Sequence, residues 1–162
     1  MFTAYAAHTD SDGDGTQTQV PLREHWVNLA EDAEPVFLAR EEVRRTLNGH
    51  ASKSCIDDSV LIVSELVGNA LRHTVGGPDC LAVEVYHDAV VLWVHDADVD
   101  VDGVRPYADD GRGALLEEFA EGGRGLLLVE ALTADWYVQP TAIGKAVVAV
   151  IEVEPDDAPA AG

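Results

Sequence analysis

Val60-Leu61-Ile62-Val63-Ser64-Glu65-Leu66-Val67-Gly68-Asn69-Ala70-Leu71-Arg72-His73 is the stretch on which the fold turns. At about 100° per residue, Val60, Val63, Leu66, Val67, Ala70 and Leu71 fall on one stripe, the core face of an amphipathic helix. The pattern predicts a helix from about Asp57 to His73, stopped by Gly76-Gly77-Pro78. Glu65, Asn69 and His73 recur at i, i+4 and i+8, within an arc of about 80° on the opposite side. A carboxylate, an amide and an imidazole in one row can build a polar site; the same spacing also describes a solvated face.

On the N-terminal side of this helix, His25-Trp26-Val27-Asn28-Leu29 alternates as a short strand. Val36, Phe37, Val43 and Leu47 then give a helix from about Glu34, ended by Asn48-Gly49. On the C-terminal side, Leu81–Tyr86 and Val90–His95 are β-branched runs joined at His87-Asp88, the pattern of an antiparallel hairpin. Leu126–Leu132 reads as a short buried helix. Trp136–Gln139 and Lys145–Glu152 read as a second hairpin turning near Ile143-Gly144. The order β, α, α, β, β, loop, α, β, β predicts an α+β two-layer sandwich: a mixed, mostly antiparallel sheet with helices on one face. Residues 1–20 and 154–162, polar or Pro/Ala-rich without apolar period, are expected to be disordered tails around a domain at 21–153.

Ten Lys and Arg against 30 Asp and Glu give a net charge of −20. Nucleic acid and anionic lipid both need cationic side chains to displace counterions, so neither is expected as a partner. No apolar run reaches the roughly 20 residues of a membrane helix, and the N-terminus lacks the regions of a signal peptide. The cytoplasm is the expected location. Cys55 and Cys80 lack metal-motif spacing and read as buried free thiols. The stretch from Asp96 to Gly125 is long for a connector in a compact domain, which marks it as functional or disordered.

Glu65-Leu66-Val67-Gly68-Asn69-Ala70-Leu71-Arg72-His73 resembles the N-box helix of the ATPase superfamily of DNA gyrase, heat-shock chaperones, sensor histidine kinases and anti-sigma-factor serine kinases. Gly122-Gly123-Arg124-Gly125-Leu126-Leu127-Leu128-Val129 resembles its second glycine box. Asp96 follows a hydrophobic strand where the adenine-reading Asp belongs, and Gly144-Lys145 precedes the last strand as in the family. The resemblance spans about residues 22 to 153, and in length it is nearest the stand-alone anti-sigma kinase form. It implies the histidine-kinase-type ATPase fold and Mg-ATP binding, with Asn69 ligating Mg²⁺ and Glu65 orienting or deprotonating the attacking hydroxyl. It also implies Asp96 on the adenine amino group, Gly123, Arg124, Gly125 and Leu126 at the phosphate box, and His73 and Lys145 at the nucleotide. In the anti-sigma relatives the γ-phosphate goes to a serine of an antagonist protein, and the same fold sequesters a sigma factor. An anti-sigma antagonist or a sigma factor is therefore the implied protein partner, and a homodimer stays open.

The sequence departs from the family pattern where Asp96-Ala97-Asp98-Val99-Asp100 replaces both glycines of the first glycine box, and where Ala146 replaces a common Thr. From Asp96 to Glu121 there are nine acids against Arg105 and Arg112, a balance that repels a polyphosphate. These departures favour an alternative, a partner-binding module whose nucleotide site has decayed. Asp98-Val99-Asp100-Val101-Asp102-Gly103 with Asp109 also matches most of a calcium loop, though a strand precedes it where a helix belongs.

Overall fold

The computed structural model describes residues 19–97 and 124–153. Its elements are β1 (Arg23–Asn28), α1 (Pro35–Leu47), α2 (Lys53–His73), β2 (Pro78–Val85), β3 (Ala89–Asp96), α3 (Arg124–Leu132), β4 (Asp135–Thr141) and β5 (Gly144–Glu152). The five strands form one sheet in the order β1-β2-β3-β5-β4. Every pairing in it is antiparallel, so the expected mixed sheet is antiparallel throughout the described residues. The α+β fold of the histidine-kinase-type ATPases is the observed one. Residues 1–18, 98–123 and 154–162, which hold most of the expected tails and of the acidic stretch and all of the calcium-loop pattern at Asp98–Asp109, lie outside the described residues.

Helix α2 starts four residues before its expected first residue, because Ser52 caps it: the Ser52 hydroxyl accepts a hydrogen bond from the Cys55 N–H at 3.1 Å. It ends at His73, where the Thr74 N–H donates to the Ala70 carbonyl. Pro78 opens β2, a position where a missing N–H is tolerated. Helix α1 begins with Pro35, whose fixed φ suits the first turn. His25 of β1 ties the strand to α1 through Glu42, Nδ1 to Oε2 at 2.9 Å. Trp136 of β4, fully buried, donates its indole N–H to Glu130 of α3.

All three described helices pack on one face of the sheet. Leu81, Val83, Val85, Val90, Leu92, Val94, Ala149 and Ile151 from the strands meet Val43, Leu47, Ile62, Val63, Leu66, Val67, Leu126 and Val129 from the helices. Each Val, Leu or Ile among these contributes roughly 1.5–3 kcal/mol when buried, against about 1 kcal/mol for a cap, so burial decides how each helix sits. Two expected core residues stand outside: Phe37 is 61% and Leu71 45% exposed. In α1 the buried row is Pro35, Ala39, Glu42, Val43, Thr46 and Leu47, which turns Phe37 outward. In α2 the buried arc takes in Cys55, Ser59, Ile62 and Asn69, so the core face is rotated by about 40° toward Asn69. The row of Glu65, Asn69 and His73 therefore flanks the core instead of opposing it.

The opposite face of the sheet is apolar too. Ala82, Tyr86, Ala89, Val91, Trp93, Ala146, Val148 and Val150 form a second buried cluster. Among them sits Glu84, also buried, whose carboxylate accepts a hydrogen bond from the Tyr86 hydroxyl at 2.7 Å. Burial pushes the Glu84 carboxyl above its ordinary value, outweighing the hydrogen bonds from Tyr86 and Trp93 that favour the anion. A raised carboxyl binds its proton more tightly in the folded state, so stability falls as pH rises above about 4.5 through the folded value. Glu84→Gln is expected to raise stability at pH 7 and to flatten its fall across that window, as read by urea denaturation at a series of pH values.

Candidate functional site

One end of the helix-covered face opens into a narrow pocket. Its floor is Val94 and Asp96 of β3 beside Lys145 and Val147 of β5; its walls are Leu66, Asn69, Ala70, His73 and Thr74 of α2 and Leu126 of α3. Strand periodicity puts the floor together. The antiparallel register pairs Val94 with Val147 and Asp96 with Lys145, and alternation turns all four toward the helices.

Asp96 is 3% exposed and lies at the very end of β3, with Lys145 Nζ 4.0 Å from its Oδ1. A carboxylate that deep needs a partner, which Lys145 supplies, and it borders an apolar slot of Leu66, Ala70, Val94, Leu126 and Val147. Such a slot suits the edge of a flat heterocycle: apolar walls take its faces, and the carboxylate accepts from an amino group. The cavity is about 30 Å³, room for about two waters, so a ring system enters only as lining side chains move aside.

Asn69 forms the inner rim. It is 9% exposed, and its Oδ1 accepts a hydrogen bond from Arg72 Nη2 at 2.6 Å. The amide oxygen that the resemblance assigns to Mg²⁺ is therefore engaged by a guanidinium, which has to withdraw before a cation approaches. Gly68 leaves the space over which Arg72 folds back: a Cβ there would sit 3.3 Å from Arg72 Nη1. Glu65 lies one turn before Asn69, half-buried and beyond the pocket walls.

The structure thus brings Asn69, His73, Asp96, Leu126 and Lys145 to one pocket and leaves Glu65 at its margin. Arg124 and Gly125 are the first two residues of α3, and Gly123 lies outside the described residues. Arg72 and Thr74 were not expected from the sequence. Arg72 had a signal, three residues after Asn69 on the same helix face; Thr74 bonds the Ala70 carbonyl and closes the helix.

An open antiparallel sheet of five strands with the described helices on one face is the fold of one class of ATPase domain. The family model of the histidine kinase-like ATPase domain matches residues 29–151, and the chain belongs to that family. The match runs from just after β1 almost to the end of β5. No curated protein matches the sequence. No helix among the described residues is long and apolar enough to cross a membrane.

Gly144 holds the pocket floor in place. A Cβ added there would lie 2.0 Å from the Asp96 carbonyl oxygen and 2.9 Å from Ala97 Cα, backbone atoms that cannot swing away. Gly144→Ala is expected to cost about 2–3 kcal/mol in chemical denaturation. Gly68→Ala meets only a flexible Arg side chain, and its better helix propensity is expected to leave stability unchanged or raise it by up to about 1 kcal/mol.

Proposed function

We propose that this protein is an ATP-binding regulator of the anti-sigma type, which binds Mg-ATP in the pocket and passes the γ-phosphate to a serine or threonine of a partner protein while sequestering a regulatory protein. The observation that carries the reading is the buried Asp96 carboxylate at the base of an apolar slot, with Asn69 on its rim. Asp96 accepts from the adenine amino group, while Leu66, Val94, Leu126 and Val147 cover the ring. His73 and Lys145 stand where the ribose and phosphates leave the slot. Gly123, Arg124 and Gly125, the residues the resemblance assigns to the phosphate box, meet the phosphates, where the N–H groups and dipole of the helix that Arg124 opens favour an anion.

One neutral amide oxygen fits an octahedral cation that completes its shell with phosphate oxygens and water. Mg²⁺, when bound, screens the charge of the phosphate tail. In the transfer, the partner hydroxyl oxygen forms a bond to the γ-phosphorus as the bond from that phosphorus to the β,γ-bridging oxygen breaks, leaving ADP. Glu65 orients the hydroxyl and takes its proton. The protein partner is an anti-sigma antagonist or a sigma factor, and the place of action is the cytoplasm, where ATP is abundant.

Arg72 on the Asn69 oxygen favours a second reading, a partner-binding module in which the site no longer turns over. The lost glycines after Asp96 point the same way. Calorimetric titration with ATP and ADP, with and without Mg²⁺, separates the two. The kinase reading expects Mg²⁺-dependent binding that Asn69→Ala abolishes and Asp96→Asn weakens about tenfold or more. No heat at millimolar nucleotide, from protein that circular dichroism shows folded, overturns it and leaves the module.

A further inference from the structure

On the other face of the same sheet end, His95 is 3% exposed and has a partner at each ring nitrogen. Nδ1 lies 3.1 Å from Asp79 Oδ2, and Nε2 lies 2.9 Å from the Thr141 hydroxyl. Cys80, half-buried and free, pairs directly with His95 across the β2–β3 ladder. One ligand atom from each of Asp79, Cys80 and His95 lies within 4.8 Å of the other two.

Neighbours in a regular strand point to opposite faces, so Asp79 and Cys80 should not reach the same imidazole. A bulge makes it possible. The β2–β3 register shifts between Pro78 and Cys80, which leaves Asp79 as the extra residue. The bulge is fixed from outside, since the Leu29 and Ala30 N–H groups both donate to the Asp79 carbonyl, at 2.8 and 3.1 Å. Bulges re-aim side chains and are enriched beside functional sites.

The geometry points to a binding site for a zinc-class divalent ion, held by Asp79 Oδ, Cys80 Sγ and His95 Nδ1 with water in the fourth position. Oxygen, sulfur and nitrogen together suit a borderline-soft tetrahedral ion and disfavour Mg²⁺ or Ca²⁺. Ligand atoms around such an ion lie roughly 3.3–3.8 Å apart, which the Asp79–His95 pair almost meets and a small turn of Cys80 completes. With Nδ1 on the ion, the imidazole proton resides on Nε2 and is donated to Thr141, the hydrogen bond that orients a metal-bound histidine. A carboxylate, a thiolate and a neutral imidazole balance a dication, so the partly buried site carries no net charge. Binding releases the thiol proton of Cys80.

Cobalt(II) is the probe, because a thiolate ligand gives it an intense near-ultraviolet charge-transfer band. Titration of the full chain in a Cys55→Ser background is expected to give a one-to-one band that Zn²⁺ removes and excess Mg²⁺ does not. Cys80→Ser is expected to abolish the band, and Thr141→Val to weaken cobalt binding about tenfold or more. Absence of the band at saturating cobalt, or a band that survives Cys80→Ser, overturns the site. Cys80→Ser changes one atom, so loss of the band does not require loss of the fold. Because the readout involves no nucleotide, it stands apart from the fate of the ATP reading.

Discussion

The close approach of Gly144 to the Asp96 carbonyl is the contact on which the candidate site rests. A Cβ at residue 144 would lie 2.0 Å from that oxygen, so no side chain fits between the end of β3 and the start of β5. The contact anchors the Asp96–Lys145 pairing, and strand alternation does the rest: it sends Asp96 under the helices and His95 to the other face. Two polar clusters with unrelated chemistry thereby share one sheet end, separated by the thickness of the backbone.

The helix layer answers to the same end of the sheet. α2 buries an arc centred between Ile62 and Val67, and α3 adds Leu126 and Val129 to the same core. This seating draws Asn69 in from the helix flank to the pocket rim. Had α2 packed on the stripe read from Val60 to Leu71, Asn69 would have faced solvent and no pocket would close over Asp96. About 40° of helix rotation separates a solvated polar row from a binding site.

Most of the architecture was legible in the sequence because its signals are local. Paired β-branched runs, a two-residue turn signal at His87-Asp88 and the Gly76-Gly77-Pro78 stop each depend on near neighbours. The helix row of Glu65, Asn69 and His73 was legible as spacing, and its meaning came from the order of boxes along the chain. What escaped was set by tertiary packing. Leu71 and Phe37 are apolar yet exposed, because a stripe shows which residues are able to be buried and not which side the partner takes. Ser52 does not stand out as a cap because polar residues surround it. The Asp79, Cys80 and His95 cluster escaped because it joins paired strands through a bulge, which no spacing rule along the chain encodes.

The two outer strands also set how the sheet can grow. β4 carries Pro140, which withholds one backbone donor from any strand laid alongside it. β1 has no proline, and its Arg23, Glu24 and His25 are exposed, so charge and solvation guard it instead. One border of the described sheet thus lacks a backbone donor at Pro140, whereas the other is guarded by exposed charged side chains, whose effect salt screens. Among the described strands, self-association through strand pairing, where it occurs, should favour β1 over β4 and respond to ionic strength.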